Sequence, residues 1–453
     1  MINGTSLRRA RQAQVSGEFA RFGQELEAWF SRWKSVGLEA FRVKHGRQME
    51  RLKTTLLEAV AGLEGPLRNL SLQLPVSSLY KECQAYELRL IWLRRIWSYY
   101  RGKFEQRLEP DSQRLLAAAD EVVWACYAPA FRSLAREVPP PPLPYIEPQF
   151  TARAIPMDEP PPELKSDVDD EFREQILALL PVAVISLPPA CATAPWWLAV
   201  VAHEVGHHLQ HELGLVKAFE AILAKEDDAK WLLWNEEIFA DLISVLCVGP
   251  AAPRALAEVE LSSDSIATSY GSYPATIVRL ELMRQSLCHL KASPEKALGE
   301  AMDELLKTIR ADLPTTTAGE LKAAERVAAG ALDEPWCEGD TLKSMAPWEP
   351  AGFMDGGDWG SRLRNGDKLT APATPSSVRR LVAAAVAAWD EILELPDDKT
   401  AIVEEGNLRK SVTESLLALA EPGDRLGGPQ PMEDQGHRLA QLLLSRSSDA
   451  LRS

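Results

Sequence analysis

Apolar side chains recur at three- and four-residue intervals along the first third of the chain, the spacing of amphipathic helices. Residues 15–135 are therefore predicted to form long helices, with the clearest patterns over Phe41–Leu63, Leu79–Leu108 and Leu115–Leu134. Breaks are expected at Gly65-Pro66 and Pro110-Asp111, since proline removes a backbone donor and glycine weakens a helix. This part of the sequence predicts a helical N-terminal bundle.

The same spacing returns beyond Ser293, now with alanine-rich faces. It predicts helices over Pro294–Leu313, Ala318–Leu332, Thr374–Leu395 and Leu408–Leu419. Segment 333–373 is rich in Gly, Asp, Trp and Pro and is expected to be irregular. No fixed-period repeat is visible, so a solenoid is not indicated. The overall prediction is a mainly α fold with a helical C-terminal region.

One stretch, from Ile176 to Ala202, contains no charged residue over 27 positions. A bilayer needs only about 20 apolar residues, so length alone permits a membrane span. Four prolines interrupt it, however, at 181, 188, 189 and 195. Because proline inside a helix costs about 3 kcal/mol, we interpret the stretch as a buried strand, a turn and the start of a buried helix. The segment VAVISL (182–187) would then be a strand at the edge of a small sheet.

Proline density defines a candidate linker, because ten of the 26 residues in 138–163 are proline. Such composition favours extended, semi-rigid chain. With this linker as a boundary, the sequence predicts a helical, basic N-terminal domain (1–137), a core (164–292) and a helical C-terminal region (293–453).

Composition narrows the class of protein. Apolar residues make up 46% and charged residues 25% of the chain, which excludes disordered and collagen-like chains. The net charge of −15 argues against nucleic-acid binding by the whole protein. Segment 1–107 nevertheless carries +9 and the remainder −24, so binding of nucleic acid by this segment stays open. The six cysteines form no CxxC pair and the N-terminus lacks a signal-peptide core, which together favour a reducing, cytoplasmic location.

The candidate chemistry lies in PWWLAVVAHEVGHHLQHELG, which holds four of the seven histidines. Thr193 and Pro195 suit a helix start and Gly214 its end. His203 and His207 are one turn apart and point the same way, so both imidazoles can bind one Zn²⁺ ion. Gly206 leaves room for another element to approach the metal closely. His208 and His211 are expected to have structural roles.

A third ligand is predicted in WLLWNEEIFADLISVLCVGP (231–250), whose apolar spacing indicates a helix that Gly249-Pro250 ends. Glu237 and Asp241 lie four residues apart on one face. Buried acids are costly unless they pair or bind metal. We therefore expect Glu237 to bind the zinc ion and Asp241 to accept the second N–H of a ligand histidine.

HEVGH followed by EIFAD resembles the gluzincin pattern of zinc metallopeptidases, HExxH and then ExxxD. The Glu-x-x-Ala-Asp form is closest to the CAAX-processing and heat-shock-type metallopeptidases. SYPATIVRLELM (272–283) is similar to the His-Pro-Pro…Arg-Leu segment of that family, with Pro274 and Arg279 at matching spacing. Tyr273 stands where the family usually has histidine. The resemblance covers residues 203–283 and implies a zincin-like catalytic core.

This resemblance implies an endopeptidase with a protein or peptide substrate. The helical flanks lie outside the resemblance and are expected to recruit the substrate or another protein partner, or to hold the enzyme inactive. Glu204 would be the general base that activates a zinc-bound water. Tyr273 or Arg279 would stabilise the oxyanion. An alternative from another class is a zinc-binding sensor or interaction protein that keeps the core without catalysis. The core's apolar stretch is interrupted by prolines, so we expect no membrane partner.

Overall fold

The computed structural model confirms the mainly α fold. The residues that it describes are 4–35, 39–147, 153–155, 172, 175–176, 178–180, 182–226, 228–260, 266–292, 304, 307, 315–336, 339–346, 358–421, 434–447 and 451. The α-helices before the first strand are α1 (Gly4–Ser35), α2 (Glu39–Arg68), α3 (Val76–Glu105) and α4 (Pro110–Ser133). The strands are β1 (Leu143–Ile146), β2 (Arg153–Ile155) and β3 (Val184–Leu187).

Helices dominate the rest of the described chain. Those of the central part are α5 (Ala190–Thr193), α6 (Val201–Glu212), α7 (Val216–Leu223), α8 (Lys230–Leu233), α9 (Asn235–Val248), α10 (Ala251–Glu260) and α11 (Thr276–His289). Those that follow are α12 (Thr315–Asp333), α13 (Leu342–Met345), α14 (Trp359–Arg364), α15 (Pro375–Leu393), α16 (Asp398–Ala418) and α17 (Gln435–Ser445). The helix predicted over Pro294–Leu313 lies largely outside the described residues.

The chain forms two compact units. One contains Met1–Glu105, Ile155–Ala183 and Gly423–Ser453, and the other contains Gln106–Ala154 and Val184–Pro422. This division differs from the four consecutive segments expected from the sequence. The difference arises because α4 packs against α6 and α15, so its apolar residues belong to the same core as the HExxH helix. The C-terminal helix α17 instead packs against α2.

The first unit is built from α1, α2, α3 and α17. Glycines permit the close contact between α2 and α17, since a Cβ at Gly436 would lie 2.5 Å from the Cβ of Glu58. The break predicted at Gly65-Pro66 is wrong, because α2 continues through Pro66 and ends at Arg68. So close to the helix end, the missing N–H of proline costs only one hydrogen bond.

The second unit contains a small sheet with strand order β1-β3-β2. β1 and β3 are parallel, and Pro144 stands opposite Ile185 in their register. The predicted strand at 182–187 is confirmed, but its placement at the edge is wrong because β3 is central. Part of the predicted linker 138–163 is also a strand rather than a spacer, since β1 falls within it and Leu143 is fully buried.

The outer edge of β1 is closed by side chains. Gln106 donates to the carbonyl of Ile146 at 2.8 Å and accepts from its N–H at 2.9 Å. Arg107 donates to the carbonyl of Pro144 at 2.8 Å, and the nitrogen of Pro144 has no hydrogen to offer. Proline is tolerated here because an edge strand needs donors on one side only.

None of the helices within the described ranges combines the length and the apolarity that crossing a bilayer requires. The uncharged stretch 176–202 instead contains β3, the short helix α5, a 3₁₀ turn over Pro195–Val200 and the first residues of α6. The interpretation of this stretch as strand, turn and helix start is therefore confirmed.

Candidate metal centre

The HExxH sequence lies on α6, which begins later than the sequence predicts. Pro195–Val200 forms a 3₁₀ helix and the α-helix starts at Val201. Its end is as predicted, because Gly214 has a φ of +70°. The N–H of Gly214 donates to His211 and that of Leu215 to Gln210, at 3.0 and 2.8 Å. This pair of bonds is a Schellman motif, which requires a left-handed residue that glycine adopts without strain.

Helices α6 and α9 cross in close contact at Gly206. A Cβ at this position would lie 2.6 Å from the Cα and 3.2 Å from the carbonyl oxygen of Ala240. Moving either backbone atom would distort α9 at a cost in free energy, so any residue larger than glycine would push the two helices apart. The expectation that Gly206 allows another element to approach is confirmed, and that element is α9.

A buried amide pair that the sequence analysis missed also joins the two helices. Gln210 donates to Asn235 at 2.8 Å, and Asn235 in turn donates to the carbonyl of Val216 at 3.3 Å. A signal was present in the sequence: Gln210 lies seven residues after His203, two turns along the same face of α6. The amide pair and Gly206 together fix how α9 faces α6.

This crossing brings His203, His207 and Glu237 together. The Nε2 atoms of His203 and His207 are 3.1 Å apart. The carboxylate oxygens of Glu237 lie 3.4 Å from His203 Nε2 and 3.6 Å from His207 Nε2. Of all His, Cys, Asp and Glu residues in the described ranges, these three form the one mostly buried group whose ligand atoms converge.

The three separations can be compared with what zinc requires. Zinc binds nitrogen and oxygen ligands at about 2.0–2.2 Å in a tetrahedron, which puts neighbouring ligand atoms about 3.3 Å apart. The two imidazole nitrogens are 3.1 Å apart, and they lie 3.4 and 3.6 Å from different oxygens of Glu237, Oε2 for His203 and Oε1 for His207, so the distances bracket that value. The donor set of two imidazoles and one carboxylate fits zinc in chemistry as well as in spacing.

Asp241 and Arg279 lie against His203, with Arg279 Nη2 3.5 Å from its Nδ1 and 3.4 Å from its Nε2. His203 Nδ1 lies 2.9 Å from a carboxylate oxygen of Asp241, so this ring nitrogen donates and Nε2 is left for a metal. Arg279 donates to both oxygens of Asp241, at 2.9 and 2.8 Å. Its Nη2 also lies 3.1 Å from Glu237. Arg279 is thus bound to the acids of the site, and its oxyanion role stays a prediction.

The charges of this group favour a cation. Burial disfavours the imidazolium form of His203, yet Asp241 and Glu237 outweigh that effect and raise the pKa of His203 to about 10. For Glu237, burial is again outweighed: Arg279 and His203 hold the pKa of this carboxyl far below its usual range. Two ionised carboxylates face one guanidinium, and the remaining negative charge attracts either a proton on His203 or a metal ion.

The other histidines of α6 differ from His203. Burial lowers the pKa of His207 to about 4, so His207 is neutral, the form that binds metal. His208 is buried and donates to the carbonyl of Val184 in β3 at 3.2 Å, a structural contact that ties α6 to the sheet. His211 is more exposed and lies 3.3 Å from Glu236.

Two further predicted residues occupy different surroundings. Glu204 is buried, with 6% of its surface exposed, and directly follows His203 on α6. Tyr273 is 48% exposed and lies on a turn that Tyr270 and Tyr273 close through two backbone hydrogen bonds of 2.9 and 2.8 Å. That turn immediately precedes α11, the helix that carries Arg279.

Comparisons with known proteins find no relatives: no family model matches the chain, and no curated protein or solved structure is significantly similar to it. What the site does must therefore be argued from its own geometry.

Proposed function

We propose that the chain is a zinc-dependent peptidase that hydrolyses peptide bonds of a protein or peptide substrate. The convergence of His203, His207 and Glu237, at separations that match a tetrahedral zinc site, carries this proposal. Two histidines and one glutamate leave the fourth position of a tetrahedral ion open for water or substrate, which distinguishes catalytic zinc sites from structural ones.

The mechanism follows from the roles of the chain's own residues. Zinc held by the three ligands would supply a Lewis acid that polarises the substrate carbonyl and makes water more acidic. Glu204 acts as general base, taking a proton from the attacking water and passing it to the leaving amine. Its position next to His203 on the buried face of α6 supports this role.

Asp241 and Arg279 are positioning residues in this proposal. Asp241 fixes the orientation of the His203 ring through Nδ1, and Arg279 fixes Asp241 through two hydrogen bonds. Arg279 also balances part of the negative charge that the two acids bring. Tyr273 remains a candidate donor to the oxyanion.

The proposal is tested by metal content and hydrolysis in the same preparations. The full-length protein is loaded with Zn²⁺, desalted and analysed by plasma mass spectrometry, and then incubated with a denatured proteome whose new N-termini are labelled and sequenced. We expect about one zinc per chain, and new N-termini that disappear with a chelator. Glu204→Gln should keep the zinc and slow hydrolysis by about 100- to 10,000-fold.

A matched control distinguishes the proposed metal ligands from another histidine on the same helix. His203→Asn and His207→Asn should lose the zinc, whereas His211→Asn, on the same helix but outside the group, should retain both zinc and hydrolysis. Absence of stoichiometric zinc from the wild type would overturn the whole proposal. Zinc bound through these ligands without any hydrolysis would overturn the peptidase assignment and leave the zinc-binding sensor or interaction protein.

A further inference from the structure

Two buried polar atoms on α6 form no hydrogen bond with any of the residues that the structure describes. They are Nδ1 of His207 and Oε1 of Gln210, in side chains that are 5% and 0% exposed. Elsewhere on α6 and α9, whose residues are all described, every buried side-chain nitrogen and oxygen has a partner. Because a buried polar group without a partner is costly in free energy, two such atoms one helical turn apart call for a common explanation.

The side-chain amide of Gln210 is oriented by a chain of two hydrogen bonds. Asn235 donates from its side-chain NH₂ group to the carbonyl of Val216 at 3.3 Å. Since a carbonyl only accepts, this NH₂ group must face Val216, and the Oδ1 atom of Asn235 must face Gln210. Gln210 accordingly donates from Nε2 to that Oδ1 at 2.8 Å. The Oε1 atom of Gln210 therefore points away from Asn235 and is left as an acceptor.

The ring of His207 is oriented by the other members of the metal group. Its Nε2 lies 3.1 Å from Nε2 of His203 and 3.6 Å from Oε1 of Glu237, so this nitrogen is the one that faces the proposed zinc position. A neutral imidazole carries one hydrogen, and metal binding through Nε2 leaves that hydrogen on Nδ1. In the metal-binding form, Nδ1 of His207 is therefore a buried donor that needs an acceptor.

We propose that Gln210 is a positioning residue for His207, whose Nδ1–H reaches Oε1 of Gln210 through one ordered water molecule. This inference rests on the metal site of the proposed function. Side chains three residues apart on a helix have Cβ atoms about 5–6 Å apart. Helical side chains also lean towards the N-terminal end, so Gln210 leans over the turn that holds His207. A water bound between a buried donor and a buried acceptor satisfies both.

The two ligand histidines are then held by different kinds of acceptor. His203 has the carboxylate of Asp241, 2.9 Å from its Nδ1, whereas His207 has a neutral amide oxygen. The hydrogen-bond chain that ends at His207 begins at Val216 in α7 and passes through Asn235 of α9 and Gln210 of α6. Three helices thereby fix the orientation of one ring, and an acceptor on the second ring nitrogen of a ligand histidine strengthens metal binding.

The full-length wild type, labelled with ¹⁵N at histidine and loaded with Zn²⁺, tests where this hydrogen lies. In long-range ¹H–¹⁵N spectra we expect His207 to bind zinc through Nε2 and to carry on Nδ1 a hydrogen that exchanges with solvent more slowly than that of the exposed His211. Zinc held through Nδ1 of His207, or exchange as fast as that of His211, would overturn the proposal. Absence of zinc would overturn it together with the proposed function. The expected spectrum without any hydrolysis would support it and overturn only the peptidase assignment.

Two variants of Gln210 separate its role as an acceptor from its contact with α9. Gln210→Met and Gln210→Glu both lose the donor to Asn235, but glutamate keeps an oxygen at the Oε1 position. We expect Gln210→Met to bind zinc about 10- to 100-fold more weakly, measured by chelator competition, and to lose the slow exchange of the His207 Nδ1 hydrogen. Gln210→Glu should retain the slow exchange and most of the zinc affinity. Equal losses in the two variants would show that Gln210 acts only through Asn235 and would overturn the proposal.

Discussion

Two buried arginines contact the same helix, α9, in opposite ways. Near its beginning, Arg279 gives hydrogen bonds to both oxygens of Asp241 and lies 3.1 Å from Glu237. Near its end, Arg379 of α15 lies close enough to Cys247 for its charge to act on that thiol, and its Nε and Nη1 atoms have no hydrogen-bond partner. Both guanidinium groups are about equally buried, at 4% and 5% exposed.

The difference lies in what each partner can become if the arginine is lost. A carboxylate that loses its guanidinium stays charged at neutral pH unless its pKa rises by several units. A thiolate in the same situation takes up a proton and becomes a small apolar group. The first arginine is therefore required for the charge balance of the site, whereas Cys247 can adapt to the loss of the second by taking up a proton.

The largest expected effect is that of Arg279→Met, which leaves the buried pair Asp241 and Glu237 with only the imidazolium of His203 as a counter-charge. We expect a loss of about 3–5 kcal/mol in the free energy of unfolding, measured by urea unfolding of the metal-free protein. Zinc binding should weaken as well, since the ligand Glu237 and the positioning residue Asp241 are no longer held in place. A loss below about 1 kcal/mol would mean that the buried carboxylates of Asp241 and Glu237 do not need Arg279 for the stability of the fold.

The next effect is that of Gly206→Ala, which forces α6 and α9 apart where a Cβ has no room. We expect a loss of about 1–3 kcal/mol in unfolding free energy, together with weaker zinc binding. Gly319→Ala is the matched control, because Gly319 lies within helix α12 with nothing near its Cβ position. That variant should be neutral or slightly stabilising, as alanine favours helix over glycine.

The variant Asp241→Asn tests how the carboxylate of Asp241 affects the protonation of His203 and, through it, the binding of zinc. In the metal-free protein the pKa of His203 is about 10, so a proton must leave before zinc binds at any lower pH. Zinc affinity should therefore rise about tenfold per pH unit from 6 to 9, measured by chelator competition. Asp241→Asn should bind zinc about 10- to 100-fold more weakly. Its affinity should also rise less steeply with pH, because the proton on His203 is held less tightly.

The smallest effect is that of Arg379→Met on stability. Cys247 can take up a proton once the cation is gone, so no buried charge remains and methionine fills much of the same volume. We expect the unfolding free energy to change by less than about 1 kcal/mol, in the same urea measurement. A loss as large as that of Arg279→Met would show that the two arginines contribute equally to the free energy of unfolding.

The sequence predicted the parts of the site that depend on spacing within one helix. His203 and His207 share a face because they are four residues apart, and the same holds for Glu237 and Asp241. Gly206 could be recognised as a contact point because a small residue in a buried helix implies a close neighbour. Most helices of the mainly α fold were predictable from apolar periodicity to within a few residues at their ends, but α16 begins at Asp398, ten residues before the predicted Leu408.

What could not be predicted depends on residues brought together from distant parts of the chain. Nothing in the sequence around Arg379 indicates that it meets Cys247, which lies more than one hundred positions earlier. The bidentate contact of Arg279 with Asp241 likewise requires the packing of α11 on α9. The prediction of a linker over the whole proline-rich segment was wrong because β1, as an edge strand, needs hydrogen bonds on one side only. Pro144 is therefore acceptable within it.

The closed edge of β1 has a consequence for how copies of this chain behave at high concentration. Exposed strand edges allow neighbouring molecules to join through intermolecular sheet formation, the first step of many aggregates. Here the amide of Gln106 satisfies both backbone groups of Ile146, and Pro144 offers no hydrogen. A strand of another molecule could form no backbone hydrogen bonds with Pro144 or Ile146, so this edge of the sheet is protected against intermolecular sheet formation.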